Sequence, residues 1–270
     1  MEIVAAIGAA RHAVRTRRPL IHELTGSVTA NDCANITLAL GASPVMAQAL
    51  PEVGEVTKKS SALLINLGML QPTMLASLHR AARVAVQEGI PLVLDPVGVG
   101  TTAWRTQAAI ALVKAYKFTI IKGNGSEIQC LAREESGVYG GVDSLRKVLP
   151  ARDVQYMAVK LGTTVAVTGA IDMVSDGKQT YMLQNGCAML TRITGTGCMT
   201  GALAAAYSAV TTPLTAAVAA ITTMSLAGEK ARKQAAQAGP GSLHAALFDV
   251  VYRLTAEDLR RDGKIRSVSL

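Results

Sequence analysis

The sequence predicts an α/β fold: a mainly parallel central sheet covered by helices on both faces, with antiparallel strands at one edge. Three observations predict it. Short apolar runs alternate with longer segments whose apolar residues recur at helical spacing, the pattern of repeated β–α units with right-handed crossovers. The short runs are continuously apolar rather than alternating, as in strands buried on both faces. Half of the 270 residues are hydrophobic but only 3% are aromatic. The core is therefore built from Ala, Val, Leu, Ile and Met, which suits closely spaced helix and sheet layers.

In chain order, strands are expected at "ALLINL" (62–67), "PLVLD" (91–95), "FTIIK" (118–122), "YMAVK" (156–160), "TVAVT" (164–168) and "DMVSD" (172–176). Helices are expected at "QPTMLASLHRAARVAVQEG" (71–89) and "TQAAIALVKAY" (106–116). The last two strands and "TYMLQ" (180–184) follow one another too closely for crossovers. They read as an antiparallel meander turning at "GAI" and "GKQ". From Ile193 to Gly228 no residue is charged, long enough to raise a membrane span. The stretch is rich in Ala and Thr, opens on a Gly-rich turn and is broken at Pro213. Two fully packed helices, one on each side of "TTP", fit better, and no membrane partner is expected. No composition shift, repeat or low-complexity tract divides the chain, so one domain is expected over 1–270.

The net charge of +8 suits an anionic small substrate, or solubility alone. The basic residues are scattered apart from "RTRR" (15–18) and "RRDGKIR" (260–266), and few aromatics are present to stack bases. No nucleic-acid partner is expected. The four cysteines, Cys33, Cys130, Cys187 and Cys198, lie far apart without zinc-ligand spacing. The first residues lack the basic and apolar regions of a signal peptide. A cytoplasmic setting with free thiols is the expectation.

Ligands of such sheets gather at the carboxyl ends of the strands. Asp95 ends "PLVLD" before the loop "PVGVGTT"; its carboxylate either holds Mg²⁺ or caps the next turn. After "FTIIK", Lys122 stands at the strand end, Asn124 and Gly125 turn the chain, and Ser126 and Glu127 open a helix. Lys122 suits a phosphate. Glu127 is either a second carboxylate beside Mg²⁺ or a first-turn acid serving the helix dipole. Thr168 is a strand-end hydroxyl.

In "TGTGC", Gly195 and Gly197 let successive N–H groups aim at one spot where a helix starts, which makes Gly195, Thr196, Gly197 and Cys198 a candidate anion hole. Cys198 falls in the first turn, where the helix dipole is expected to favour its thiolate; the competing reading is an inert buried cysteine. Met46, in "GASPVM", suits either an apolar pocket wall or the core. No Walker or dinucleotide-binding glycine motif is present.

Taken in order, "VTANDCAN" (28–35), "GASPVMA" (41–47), "LLINLGML" (63–70), "PLVLDPVGVGTT" (91–102), "IIKGNGSEI" (120–128), "ITGTGCMTGALAAA" (193–206) and "GPGSLHAALFDVVYRL" (239–254) make the chain resemble the hydroxyethylthiazole kinases of the ribokinase-like superfamily over nearly its whole length. The resemblance implies a three-layer ribokinase-like fold. It implies transfer of the ATP γ-phosphoryl group to 4-methyl-5-(2-hydroxyethyl)thiazole with Mg²⁺, in thiamin salvage. It also implies a homotrimer whose substrate pocket lies between subunits. By position, Met46 and Gly195 are implied as substrate contacts, Lys122 and Thr168 as ATP contacts, Asp95 and Glu127 as the carboxylates beside the metal. Cys198 stands where most such kinases carry an aspartate base. Two positions depart from the pattern. Thr25, Gly26 and Ser27 replace Thr-Asn-aromatic, and the glycine is expected to widen the pocket. Lys122 replaces an arginine, keeping the charge without the planar fork. A kinase for another small alcohol, such as a hydroxymethylpyrimidine, and a non-catalytic thiazole-binding relative are the competing readings.

Overall fold

The computed structural model describes residues 2–134, 148–235 and 238–269. The chain runs α1 (Glu2–Arg17), β1 (Leu20–Leu24), α2 (Ala30–Leu40), β2 (Ser43–Val45), α3 (Val53–Lys59), β3 (Ala62–Asn66), α4 (Pro72–Gln87), β4 (Leu92–Asp95), α5 (Ala103–Ala115), β5 (Ile120–Asn124) and α6 (Gly125–Arg133). It continues through α7 (Ala151–Leu161), β6 (Thr164–Thr168), β7 (Asp172–Ser175), β8 (Thr180–Leu183), α8 (Thr196–Ser208), α9 (Pro213–Gln234), α10 (Pro240–Arg253), α11 (Ala256–Asp262) and β9 (Ile265–Ser267).

One sheet orders the strands β2-β1-β3-β4-β5-β6-β7-β8-β9. Pairs from β2 through β6 are parallel, and those from β6 to β9 are antiparallel. Both faces are covered. Ile21, Leu64, Val93, Ile120 and Ala166 pack under α1, α2, α8, α9 and α10. Leu63, Ile65, Leu92, Leu94 and Ile121 pack under α4, α5, α6 and α7. This is the three-layer arrangement the sequence predicts, and its continuously buried strands explain the unbroken apolar runs. The charge-free stretch forms α8 and α9, buried from Cys198 to Ser208 and from Leu214 to Gly228. No described helix is long and apolar enough to cross a membrane.

Two expectations are corrected. Residues 156–160 are not a strand; they lie inside α7. Val154, Met157 and Ala158 make its buried stripe, while Tyr156 and Val159 are each 64% exposed. A run of apolar residues looks like a strand when the solvent side of a helix is apolar too. The strand at 118–122 is displaced to 120–124 because Gly123 and Asn124 pair with Val167 and Thr168 of β6. Lys122 is therefore in mid-strand, and Asn124 ends the strand rather than following it. The strands β1, β2 and β9, unforeseen in the sequence, are short or carry His, Glu, Pro, Arg or Ser.

Candidate active site

Parallel strands bring their carboxyl ends to one edge. There Asn66, the last residue of β3, stands in register with Asp95, the last of β4. Asp95 is fully buried. Its Oδ2 accepts hydrogen bonds from Asn66 Nδ2 (3.0 Å) and from Lys122 Nζ (3.1 Å), while its Oδ1 has no partner among the described residues. Lys122 Nζ also donates to the carbonyl of Gly197 (3.0 Å). Burial works against the Lys122 ammonium, but Asp95, then Cys198 and Glu127, outweigh it and hold its pKa above the ordinary lysine value. Burial pushes the Asp95 carboxyl upward, with Lys122 and Asn66 opposing.

The amino end of α8 comes down onto this pair. Gly195 precedes the helix at φ +85°, in the left-handed region, and a Cβ on it would lie 2.7 Å from Thr29 Cγ2. Both facts require glycine. A Cβ on Gly197 would lie 3.3 Å from Lys122 Nζ, and one on Gly201, a turn later, 3.2 Å from Asp95 Oδ2. These small residues seat the helix start on the Asp95–Lys122 pair. The first amides of a helix have no intrahelical acceptor, which leaves those of 196–198 as available donors.

Cys198 is 8% exposed and corrects a further expectation. Burial raises its pKa above the ordinary thiol value, and Asp95 adds to the rise; Lys122 and hydrogen bonds from Asn66 and Thr29 oppose it without reversing it. Desolvation and the neighbouring carboxylate set this direction.

Glu127 sits in the first turn of α6. Its Oε2 accepts from Asn124 N (2.8 Å), and Asn124 Oδ1 accepts from Glu127 N (2.9 Å), a reciprocal cap. Its Oε1 accepts from Gly98 N (2.8 Å), which ties α6 to the loop after Asp95. Burial, and then Asp95, push its carboxyl up to about 7. The helix-start reading of this residue is thus satisfied, and its oxygens keep lone pairs beside Asp95.

Thr168 ends β6 in register with Asn124 and donates to the Gly123 carbonyl at 3.3 Å. Gly169, which follows it, donates its N–H to Asp172 Oδ1 (2.8 Å). Burial pushes this aspartate up to about 6. Met46 follows β2, is half-buried and packs against the same core as Cys198. The structure thus gathers Asp95, Lys122, Gly197 and Cys198 in one cluster, with Glu127 joined through Gly98, Thr168 on the neighbouring strand end and Gly195 against Thr29. Asn66 and Thr29 went unforeseen. Asn66, a polar residue closing an apolar strand, was findable from its place at a strand end; Thr29 was not, because only α2 packing against α8 brings it to Gly195 and Cys198.

The expected widening at Gly26 does not occur. A Cβ on Gly26 would lie 2.5 Å from Met69 Cβ and 2.8 Å from Met69 Cγ, and Ser27 Oγ donates to Met69 Sδ at 3.3 Å. Met69 fills the space that a side chain at 26 would need.

A family model described as the Hydroxyethylthiazole kinase family matches residues 12–257. The chain is 43% identical to the hydroxyethylthiazole kinase of Pyrococcus furiosus over 98% of its own length and 99% of that protein's. The solved structure of the hydroxyethylthiazole kinase protein from Pyrococcus horikoshii superposes with a TM-score of 0.89 at 41% identity, covering 97% of this chain and 99% of that one. A ribokinase-like superfamily protein from Enterococcus faecalis shares the fold at a TM-score of 0.64 and 14% identity, covering 90% of this chain and 89% of that one.

Proposed function

Because the chain belongs to the hydroxyethylthiazole kinase family, we propose that it transfers the γ-phosphoryl group of ATP to the hydroxyl of 4-methyl-5-(2-hydroxyethyl)thiazole in thiamin salvage. The observation that carries this reading is the buried Asp95–Lys122 pair, with Asp95 at the end of β4, beneath the glycine-started helix α8. Phosphoryl transfer asks mainly for positioning and for charge stabilisation on the moving group. The acceptor oxygen bonds to the γ-phosphorus, the bond to the β–γ bridging oxygen breaks, and the hydroxyl proton leaves. Amides of 196–198 are assigned to the charge on the moving group, with Lys122 on the ATP side beside Thr168. Met46 and Gly195 are assigned to the thiazole.

Asp95 and Glu127 would hold Mg²⁺. The fit rests on the unpartnered Asp95 Oδ1 and on hard oxygen donors. No described group of three or more acidic, His or Cys residues forms a closed cage, which agrees with an ion held by one or two carboxylates and the substrate phosphates. When bound, it supplies neutralising charge to those phosphates.

Cys198 is assigned to the departing proton. Its raised pKa keeps the thiol protonated at rest, so the thiolate that would take the hydroxyl proton is scarce and charge stabilisation carries more of the rate than proton removal. Cys198→Ala is expected to lower turnover about 10²-fold, the low end for a general base, and Cys198→Asp to keep or raise it. Parental turnover in Cys198→Ala removes the thiol from the mechanism. We read residues 1–270 as one catalytic unit, supported by the single sheet. We also propose a cytoplasmic homotrimer with the acceptor pocket between subunits.

The deciding experiment is coupled ADP release with ATP and Mg²⁺, comparing the thiazole alcohol with a hydroxymethylpyrimidine. Preference for the thiazole supports the reading. Preference for the pyrimidine overturns the substrate. Thiazole binding without ADP release favours a non-catalytic relative.

A further inference from the structure

Met46 lies in a stretch without regular structure, between the end of β2 at Val45 and α3. An apolar side chain on such a stretch holds its place only if the backbone beside it is held. Two side chains supply that hold. His22, fully buried in mid-β1, has Nε2 at 2.7 Å from the carbonyl oxygen of Ala47. Gln48 Nε2 donates to the carbonyl oxygen of Thr25, just past the end of β1, at 2.6 Å. On the other side of Met46, Val45 stands in register with His22. The residue before Met46 and the two after it are thus all tied to β1 or its exit.

The hydrogen-bond inventory fixes one ring nitrogen. A carbonyl only accepts, so His22 Nε2 must carry the hydrogen. Nδ1 lies 2.9 Å from Thr57 Oγ1. The Thr57 hydroxyl donates to the Val53 carbonyl at 2.8 Å, so its oxygen sits between that carbonyl and the ring. Burial lowers the pKa of the ring, with Ala47 and Glu52 opposing, which favours the neutral form. Thr57 is buried on α3, so the ring is braced from α3 and directed at the Met46 stretch.

We infer that His22 is a positioning residue for the acceptor alcohol: through Nε2–H and Ala47 it sets where Met46 stands, and so sets the acceptor affinity without touching the phosphoryl chemistry. The inference rests on Met46 lining the acceptor site, as proposed above.

Asn and Gln separate the two ring nitrogens. Glutamine at 22 reaches the Nε2 position and keeps the donor to Ala47; asparagine reaches only the Nδ1 position. His22→Asn is expected to raise KM for the thiazole alcohol about tenfold, with KM for ATP held within about twofold, and His22→Gln to stay within about threefold of the parent. Met46→Ala supplies the cycle. If His22 acts through Met46, His22→Asn adds little to the loss already caused by Met46→Ala. Equal effects of Asn and Gln, a parallel rise in both KM values, or full additivity with Met46→Ala overturns the inference. An unchanged alcohol KM in Met46→Ala instead overturns the placement of Met46, a separate failure. If His22→Asn does not fold, Gln48→Leu tests the second tie alone: a rise in the alcohol KM with the ATP KM unchanged supports the arrangement, and no rise overturns it.

Discussion

Among the described residues two arginine or lysine side chains are buried, and they are built for different purposes. Arg11 of α1 is 1% exposed, and Lys122 of β5 is 4% exposed. Arg11 faces neutral groups at the ends of helices: its Nε donates to the Leu254 carbonyl (3.2 Å), and its two terminal nitrogens to the carbonyls of Leu40 and Val251. Lys122 faces a carboxylate and the first turn of α8. The same desolvation acts on both. It leaves Arg11 below the ordinary arginine value, whereas Asp95, Cys198 and Glu127 lift Lys122 above the ordinary lysine value. A buried cation among helix carbonyls ties elements together, here α1, α2 and α10. A buried cation opposite a carboxylate at strand tips leaves a charge pair that an anionic ligand can enter.

Replacing each cation by methionine is the most direct way to break that contrast. Lys122→Met is expected to lower turnover by about 10²–10³-fold, the usual loss for one preorganised donor to a developing charge. Its fold should survive, because the buried Asp95 can take up a proton once its counter-charge is gone. Arg11→Met leaves three carbonyls short of a donor. It is expected to lose about 3 kcal/mol, roughly 5 °C in Tm, while both KM values and kcat of the folded enzyme stay unchanged. Thermal melts alongside steady-state kinetics separate the two, and a matched loss of Tm in both variants with parental turnover in Lys122→Met would erase the distinction.

Glu23 sharpens it from the opposite sign. This carboxyl, buried in β1, has Thr37 Oγ1 donating to Oε1 at 2.6 Å and, among the described residues, nothing on Oε2. Burial, opposed only by Thr37, pushes it up to about 7. Between its ordinary value and about 7, the folded chain binds more protons at this site than the unfolded chain does. Its contribution therefore favours the fold below that window and is lost as pH rises through it. Glu23→Gln, which cannot ionise, is expected to flatten this part of the stability–pH curve and to gain on the order of 1–3 kcal/mol over the parent at pH 8. Denaturant melts at pH 5 and pH 8 check this, and parallel curves for parent and variant contradict it.

Legibility followed periodicity and place. β3, β4, β6 and the packed pair α8 and α9 were readable because burial on every side removes charge from the sequence. Asp95, Gly195 and Cys198 stood out because strand ends and helix starts are where such sheets place ligands, whereas Lys122, read as a strand end, lies in mid-strand. Residues 156–160 misled because Tyr156 and Val159 put apolar atoms on the solvent side of α7. Thiolate character at Cys198 was misjudged because the helix start was visible in the sequence, while the depth of burial and the nearness of Asp95 were not.

By itself, then, the sequence determined the layers, the run of parallel strands and the identity of the strand-end and helix-start residues, since these follow from local spacing of apolar, glycine and charged positions. Only the tertiary structure decided that Gly201 makes room for Asp95, that Met69 occupies the space beside Gly26, and that His22 reaches Ala47. Each of these joins segments distant in the chain, and contact distance, desolvation and hydrogen-bond direction exist only once those segments are packed together.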